Sequence, residues 1–262
     1  MSLDLDALLD KSSEVEFLRV FLDYDGTLAE FAPTPDTILP DDELIALMQK
    51  MVRCPGILPA VISGRRLAHI QKLLPVKGML LGGTYGIEMQ LPDGRLFNVL
   101  DYERVRSSIK PILSFWKELV GDSSSIYLED KGWALALHNK MNEPPDAEPV
   151  LQRIRKMTEE RIPGEGFHLS GNDRFLEIAP DKANKADAVG WVLQNMTPSN
   201  AMVLYFGDDG KDEEAFRVIL DKGGFAVRIA SAPVKSLAQY RMQSPAELRA
   251  WLNKLTKMRT SQ

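Results

Sequence analysis

Phe17 to Leu22 reads FLRVFL, a short apolar run that stops abruptly at Asp-Tyr-Asp-Gly. An apolar run of that length, ended by a turn, predicts a strand buried in a sheet. The pattern recurs along the chain. Ile57 to Ile62 ends at Ser63-Gly64-Arg65, Met79 to Leu81 at Gly82-Gly83, and Met202 to Phe206 at Gly207-Asp208-Asp209. Helices are expected between these runs, over 42–52, 67–74, 186–193 and 213–220, the first capped by Asp41-Asp42. A further strand over 225–229 and a helix over 245–255 close the chain. Strand alternating with helix predicts parallel strands joined by crossovers, a Rossmann-like α/β core.

The rhythm changes in the middle. Gly86 to Gln90 and Arg95 to Val99 flank Pro92-Asp93-Gly94, a hairpin signal. Beyond it, helices over 102–120 and 147–161 alternate with paired strands, over 125–129 and 133–138, then 167–169 and 174–178. The second pair turns at Gly171-Asn172-Asp173. This αββαββ block predicts a small α+β cap over 103–180, inserted into a core formed by 1–102 and 181–262. Pro33, Pro35 and Pro40 rule out regular structure before the helix over 42–52.

The remaining classes are narrowed by composition. A net charge of −5, with basic tracts no longer than pairs such as Arg65-Arg66, argues against a nucleic-acid partner. One cysteine, Cys54, excludes an internal disulfide framework and suits a reducing compartment. The acidic N-terminus lacks the order of a signal peptide, and no apolar run approaches a membrane span. A cytoplasmic protein without a membrane partner is expected.

The chemistry-bearing residues stand at the carboxyl ends of the expected core strands, where open α/β sheets bind ligands. In Asp23-Tyr24-Asp25-Gly26-Thr27-Leu28, two carboxylates can converge on one cation, Gly26 permits a sharp exit, and Thr27 offers a hydroxyl to phosphate. Magnesium takes oxygen ligands and bridges readily to phosphoryl oxygens. An Asp-rich turn is the plain alternative. In Gly207-Asp208-Asp209-Gly210-Lys211-Asp212, three clustered carboxylates repel unless a cation offsets them. A solvated acidic loop is the alternative there. Ser63, with Gly64-Arg65, and Lys185 can bind transferring phosphoryl oxygens. A serine at a strand end is also a common helix cap, and a helical lysine is commonly surface.

The order D-x-D-G-T-L, S-G-R, Lys, G-D-D-x-x-D resembles that of the haloacid dehalogenase superfamily. More narrowly, FLDYDGTLAEFAPTPD, AVISGRR, GGTYGIE, LEDKGWALALHNK, RFLEIAP with NKADA, and YFGDDGKDEEAF are similar to segments of trehalose-6-phosphate phosphatases. The resemblance implies a Mg²⁺-dependent phosphatase acting on a sugar phosphate, trehalose 6-phosphate foremost, through an aspartyl-phosphate. By this resemblance Asp23 is the nucleophile, and Asp25 protonates the leaving oxygen and later activates water. Asp23, the Asp25 backbone carbonyl and Asp208 would hold the metal, with Asp209 and Asp212 as supporting carboxylates. Ser63 and Lys185 would bind the phosphoryl group, with Thr27 and Arg65 beside them. Glu129, Lys131 and Glu177 match positions that recognise sugar hydroxyls, and His138 serves either packing or substrate contact. A nucleophilic carboxylate is already ionised at neutral pH, whereas Asp25 must hold a proton part of the time.

The chain departs from the family pattern at Tyr85, where histidine is usual, and at Asn139-Lys140, which replace Tyr-Arg. Ala179 stands in place of the arginine of EIRP, and Ala186 in place of glycine. These changes fall mainly in substrate-reading segments. Another phosphorylated glycoside, such as glucosyl- or mannosyl-3-phosphoglycerate, is the alternative substrate. A phosphomutase and a non-catalytic sugar-phosphate-binding domain are further readings. His69 and His168 lack metal-ligand spacing, Cys54 reads as a small buried residue, and Trp116, Trp133, Trp191 and Trp251 are expected to pack in the core or cap.

Overall fold

The computed structural model describes residues 4–31, 38–121, 126–139, 147–172 and 174–261. Pro33, Pro35, Ser125, Lys140 and Asp173, named above, lie outside the described residues. Contacts divide the chain into a larger unit, up to Phe31, Ile38–Phe97 and from Asn184 onward, and a smaller unit from Asn98 to Ala183.

The chain enters the larger unit as α1 (Leu5–Glu14), β1 (Leu18–Leu22), α2 (Asp42–Arg53), β2 (Ile57–Ile62), α3 (Leu67–Leu73), β3 (Leu80–Gly83), β4 (Glu88–Gln90) and β5 (Leu96–Asn98). The smaller unit holds α4 (Tyr102–Val120), β6 (Ile126–Asp130), β7 (Leu135–Asn139), α5 (Ala147–Glu159), β8 (Phe167–Asn172) and β9 (Phe175–Pro180). The larger unit resumes as α6 (Lys185–Met196), β10 (Met202–Gly207), α7 (Asp212–Asp221), β11 (Phe225–Ile229), β12 (Tyr240–Met242) and α8 (Pro245–Thr260).

The larger sheet has the order β12-β11-β10-β1-β2-β3-β4-β5. Its strands run parallel from β12 to β3, and β4 turns back antiparallel to β3. β1 lies near the middle and is buried throughout. Leu18, Val20 and Leu22 pack on one face with residues of α1, α2 and α8, while Phe21 packs on the other with residues of α6 and α7. That alternation follows from the two-residue period of a strand. Arg19, on the Phe21 face, is 2% exposed. Its guanidinium donates to Leu58 O at 2.8 Å, to Thr197 Oγ1 at 3.0 Å and to Met196 O, closing the C-terminal end of α6. Burial brings its pKa down to about 10.

Two elements were not expected from the sequence. One is α1, whose Asp4 accepts from the Asp6 amide as N-cap and whose Leu8 and Leu9 are buried. An N-cap followed by Leu5, Leu8 and Leu9 at helical spacing was the available signal. The other is the edge strand β12, only three residues long.

In the smaller unit the strands form an antiparallel sheet ordered β6-β7-β9-β8. Leu135, Leu137, Leu176 and Ile178 pack with Ile109, Trp116 and Ile154 of α4 and α5, making one face a separate apolar core. Pairing puts Glu129 opposite Ala136 and Ala136 opposite Glu177. The two glutamates therefore share the other face, across a small residue that leaves room between them.

Candidate active site

Asp23 is held at the centre of the sheet. Asp23 follows β1, donates its amide to Phe206 O at 3.0 Å and is 5% exposed. Lys185, at the start of α6, places Nζ 2.8 Å from Asp23 Oδ1 and 2.7 Å from Asp212 Oδ1. Lys185 is 3% exposed, so the ammonium is held by these carboxylates rather than by water. Burial works against its charge, but Asp212 and Asp23 outweigh that and hold its pKa above the ordinary lysine value.

Asp212 organises the loop after β10. Its Oδ1 accepts from Lys185 Nζ and, at 2.8 Å, from the Tyr205 hydroxyl. Its Oδ2 accepts from the Asp208 and Asp209 amides at 3.0 and 3.1 Å. Burial opposes its ionisation, yet Lys185 and these donors keep its pKa below the usual carboxylate value. Gly207 is required here for room: a Cβ would sit 2.3 Å from Asp212 Cγ. Gly26 serves Asp208 in the same way, with φ at +75° and space for a Cβ only 2.3 Å from Asp208 Oδ2.

One ammonium thus faces several carboxylates, and Asp212 takes most of the compensation. Asp23 is left with burial as the chief influence, and its pKa is raised. Burial, with Asp212 and Asp209 close by, likewise pushes Asp208 up to about 7. Oxygens of Asp23, Asp208 and Asp212 lie within 4.8 Å of one another. Because both Asp212 oxygens are already occupied, Asp23 and Asp208 are the side chains left to a cation. A hard divalent ion fits this all-oxygen, under-compensated pair.

Ser63 and Arg65 come from the turn after β2. Ser63 is 1% exposed, and its Oγ accepts from the Arg65 amide at 3.1 Å. Arg65 extends to Asp25, with Nε 2.6 Å from Oδ2 and Nη2 2.7 Å from Oδ1. Thr27 is fully buried and donates its hydroxyl to Asp208 Oδ1 at 3.1 Å. Both residues therefore support aspartates in this arrangement, and phosphate contact would require these bonds to change. His69 stands beside Arg65, 3.3 Å from Nη1 through Nδ1. His168 faces Asp181, and Cys54 is a free, buried thiol.

On the smaller unit's polar face, Lys131 Nζ donates to Glu177 Oε2 at 2.7 Å and stands 4.0 Å from Glu129 Oε2. His138 Nε2 meets the same Glu129 oxygen at 2.9 Å. Burial opposes the Glu129 charge, but His138 and Lys131 outweigh it and lower its pKa. The structure thus gathers Glu129, Lys131, His138 and Glu177 into one cluster, apart in sequence from Asp23. Sequence reasoning missed two contributors. The Tyr205 hydroxyl reads as core in an apolar strand, and Tyr85 reads as a departure from the family pattern whose partner, Lys211, is 126 positions away.

The fold is that of a haloacid dehalogenase-like hydrolase from Bacteroides thetaiotaomicron, which superposes with a TM-score of 0.64 at 16% identity over 91% and 99% of the two chains. A Trehalose-phosphatase family model matches residues 21–246, and the chain belongs to that family. It is 29% identical over 247 residues to a probable trehalose-phosphate phosphatase of Sinorhizobium fredii, covering 93% of this chain and 89% of that one. It is 26% identical over 236 residues to the trehalose-6-phosphate phosphatase of Escherichia coli, covering 90% and 85%. The C-terminal domain of C. albicans trehalose-6-phosphate phosphatase superposes with a TM-score of 0.85 at 20% identity, over 98% and 97% of the two chains.

Proposed function

We propose that this phosphatase hydrolyses trehalose 6-phosphate to trehalose and phosphate with Mg²⁺, through a phosphoryl group carried on Asp23. The observation that carries the reading is the contact of buried Asp23 with Lys185, in a chain matched by the family model from 21 to 246.

Asp23 attacks phosphorus through a carboxylate oxygen. As the phosphorus–sugar oxygen bond breaks, Asp25 gives its proton to the leaving oxygen. Asp25 then takes a proton from water, which attacks the aspartyl-phosphate and frees phosphate and Asp23. Lys185 and Ser63 bind the equatorial oxygens and offset their charge. Asp23, the Asp25 carbonyl and Asp208 would hold Mg²⁺, which would neutralise phosphoryl charge. Asp209 and Asp212 support that set; Asp209 Oδ1 accepts from the Lys211 and Asp212 amides at 2.9 and 3.2 Å. Glu129, Lys131, His138 and Glu177 read the sugar hydroxyls, because buried charged partners give specificity that apolar contact cannot. A cytoplasmic setting suits a reduced Cys54.

The test is phosphate release across a panel of sugar phosphates with Mg²⁺. Trehalose 6-phosphate should give the highest kcat/KM, and a preference for a phosphoglycerate glycoside would replace the substrate while leaving the chemistry.

A further inference from the structure

Thr84 and Tyr85 are the non-glycine residues with positive φ among the described residues, at 46° and 59°. Such backbone is uphill for residues with a Cβ and persists where its surroundings over-determine it. Here the surroundings are the Ser63 turn. The Thr84 amide donates to Arg65 O at 2.7 Å and the Tyr85 amide to Ser63 O at 2.8 Å. Glu88 Oε2 accepts from the Thr84 hydroxyl at 3.2 Å and from the Leu67 amide at 3.1 Å, joining the same corner to the start of α3. The Tyr85 ring lies so close to Gly64 that a Cβ there would come within 2.7 Å of it. The turn carrying Ser63 is moulded on these two strained residues.

Tyr85 is engaged from the opposite side as well. Lys211 Nζ donates to the Tyr85 hydroxyl at 2.6 Å and stands 4.0 Å from the ring centroid. Lys211 belongs to the acidic loop, where its amide donates to Asp209 Oδ1 at 2.9 Å. Yet β3, which precedes Tyr85, and β10, which precedes Lys211, are not neighbours. The sheet runs β10-β1-β2-β3. Three strand spacings of about 4.8 Å separate the outer two, roughly 14 Å in all. Two long side chains meet across that distance, over the carboxyl ends of β1 and β2, from which Asp23 and Ser63 emerge.

We propose that Tyr85 and Lys211 form a strap that fixes the spacing between the Ser63 turn and the Asp208–Asp209 loop, and so sets the working width of the phosphoryl site. Both are positioning residues, acting through Ser63 and the acidic loop rather than on substrate. The proposal rests on the phosphatase reading above. Because phosphoryl transfer depends on alignment, a site that relaxes by a fraction of an ångström loses turnover before it loses affinity.

The experiment compares Tyr85→Phe, Lys211→Met, the double variant and Lys211→Arg, with Asp23→Asn as control. Each is assayed with Mg²⁺ on trehalose 6-phosphate and on p-nitrophenyl phosphate. Each single change to Phe or Met should lower kcat about tenfold or more on both substrates, with KM within about twofold. The double variant should be no slower than the slower single variant, because the strap is cut once. Lys211→Arg should recover most of kcat, since a guanidinium can donate to the hydroxyl and lie over the ring. Tyr85→Phe keeps the ring against Gly64, so it tests the strap even if Lys211→Met folds poorly. Unchanged kcat in Tyr85→Phe, losses that multiply in the double variant, or an arginine variant as slow as the methionine one would overturn the strap. Absence of phosphate release by the parent from either substrate would instead sink the phosphatase reading, and an Asp23→Asn enzyme as active as the parent would remove Asp23 as nucleophile. A dead Asp23→Asn enzyme beside fully active strap variants would sink the strap alone.

Discussion

Arg65 grips Asp25 with paired hydrogen bonds of 2.6 and 2.7 Å, so the proposed acid/base residue is aimed by a guanidinium from the neighbouring strand's turn. A two-point contact fixes the plane of a carboxylate, which a single ammonium cannot do. Arg65→Lys should therefore keep a positive charge beside Asp25 yet lower kcat by about tenfold to a hundredfold, a share of what a well-placed acid/base group contributes. Steady-state kinetics on p-nitrophenyl phosphate and a sugar phosphate would check it. Unchanged kcat on both would show that Asp25 does not need this orientation.

Asp23→Asn should abolish turnover, because an amide is a poor nucleophile towards phosphorus and offers a cation no charge. Acid-quenched mass spectrometry should find a phosphoryl adduct on the parent protein and none on the variant. Activity within about tenfold of the parent would remove Asp23 from the mechanism.

Chelation should stop the reaction and Mg²⁺ restore it, with Mn²⁺ or Co²⁺ as partial substitutes, because the donors are all oxygen. A second readout is independent of turnover. Divalent ions should raise the melting temperature of the parent more than that of Asp208→Asn, as ligands that bind only the folded state do. Full activity after exhaustive chelation would refute the metal.

Glu129→Ala should lower kcat/KM for the true sugar phosphate by roughly tenfold to a thousandfold, while p-nitrophenyl phosphate hydrolysis barely changes. The small ester has no sugar hydroxyls to lose. Parallel loss on both substrates would make Glu129 a structural residue, and no loss on either would place sugar recognition elsewhere.

Arg19→Met should destabilise the larger unit by about 3 kcal/mol, near 1 kcal/mol for each acceptor that loses its donor. Leu58 O, Met196 O and Thr197 Oγ1 are those acceptors. Urea unfolding would measure the change, and a loss below about 1 kcal/mol would mean that solvent or repacking takes over from the guanidinium.

The strands that carry Asp23, Ser63 and Asp208 were legible because each apolar run ends in residues a buried strand cannot continue. The αββαββ order was legible from the change of period after residue 100. Other features were not. Edge strand β12 is too short to build a pattern, and α1 lies within the acidic N-terminal segment, where four acids in eleven residues from Asp4 to Glu14 mask its apolar spacing. The Arg65–Asp25 and Tyr85–Lys211 contacts join residues 40 and 126 positions apart, so neither leaves a local trace in spacing. Thr27 and Arg65 were assigned by residue type, which gives a side chain's donors but not the acceptor that the fold presents to them.

Asp212 spends each of its oxygens twice, on Lys185 and Tyr205 with one and on the Asp208 and Asp209 amides with the other. The loop after β10 is therefore shaped by internal protein contacts. Binding energy from the proposed cation would then act mainly on the charge of the phosphate rather than on ordering these carboxylates. On the proposed reading, a cation would meet carboxylates that the protein itself orients, and exchange of that ion would run on the timescale of binding rather than of refolding.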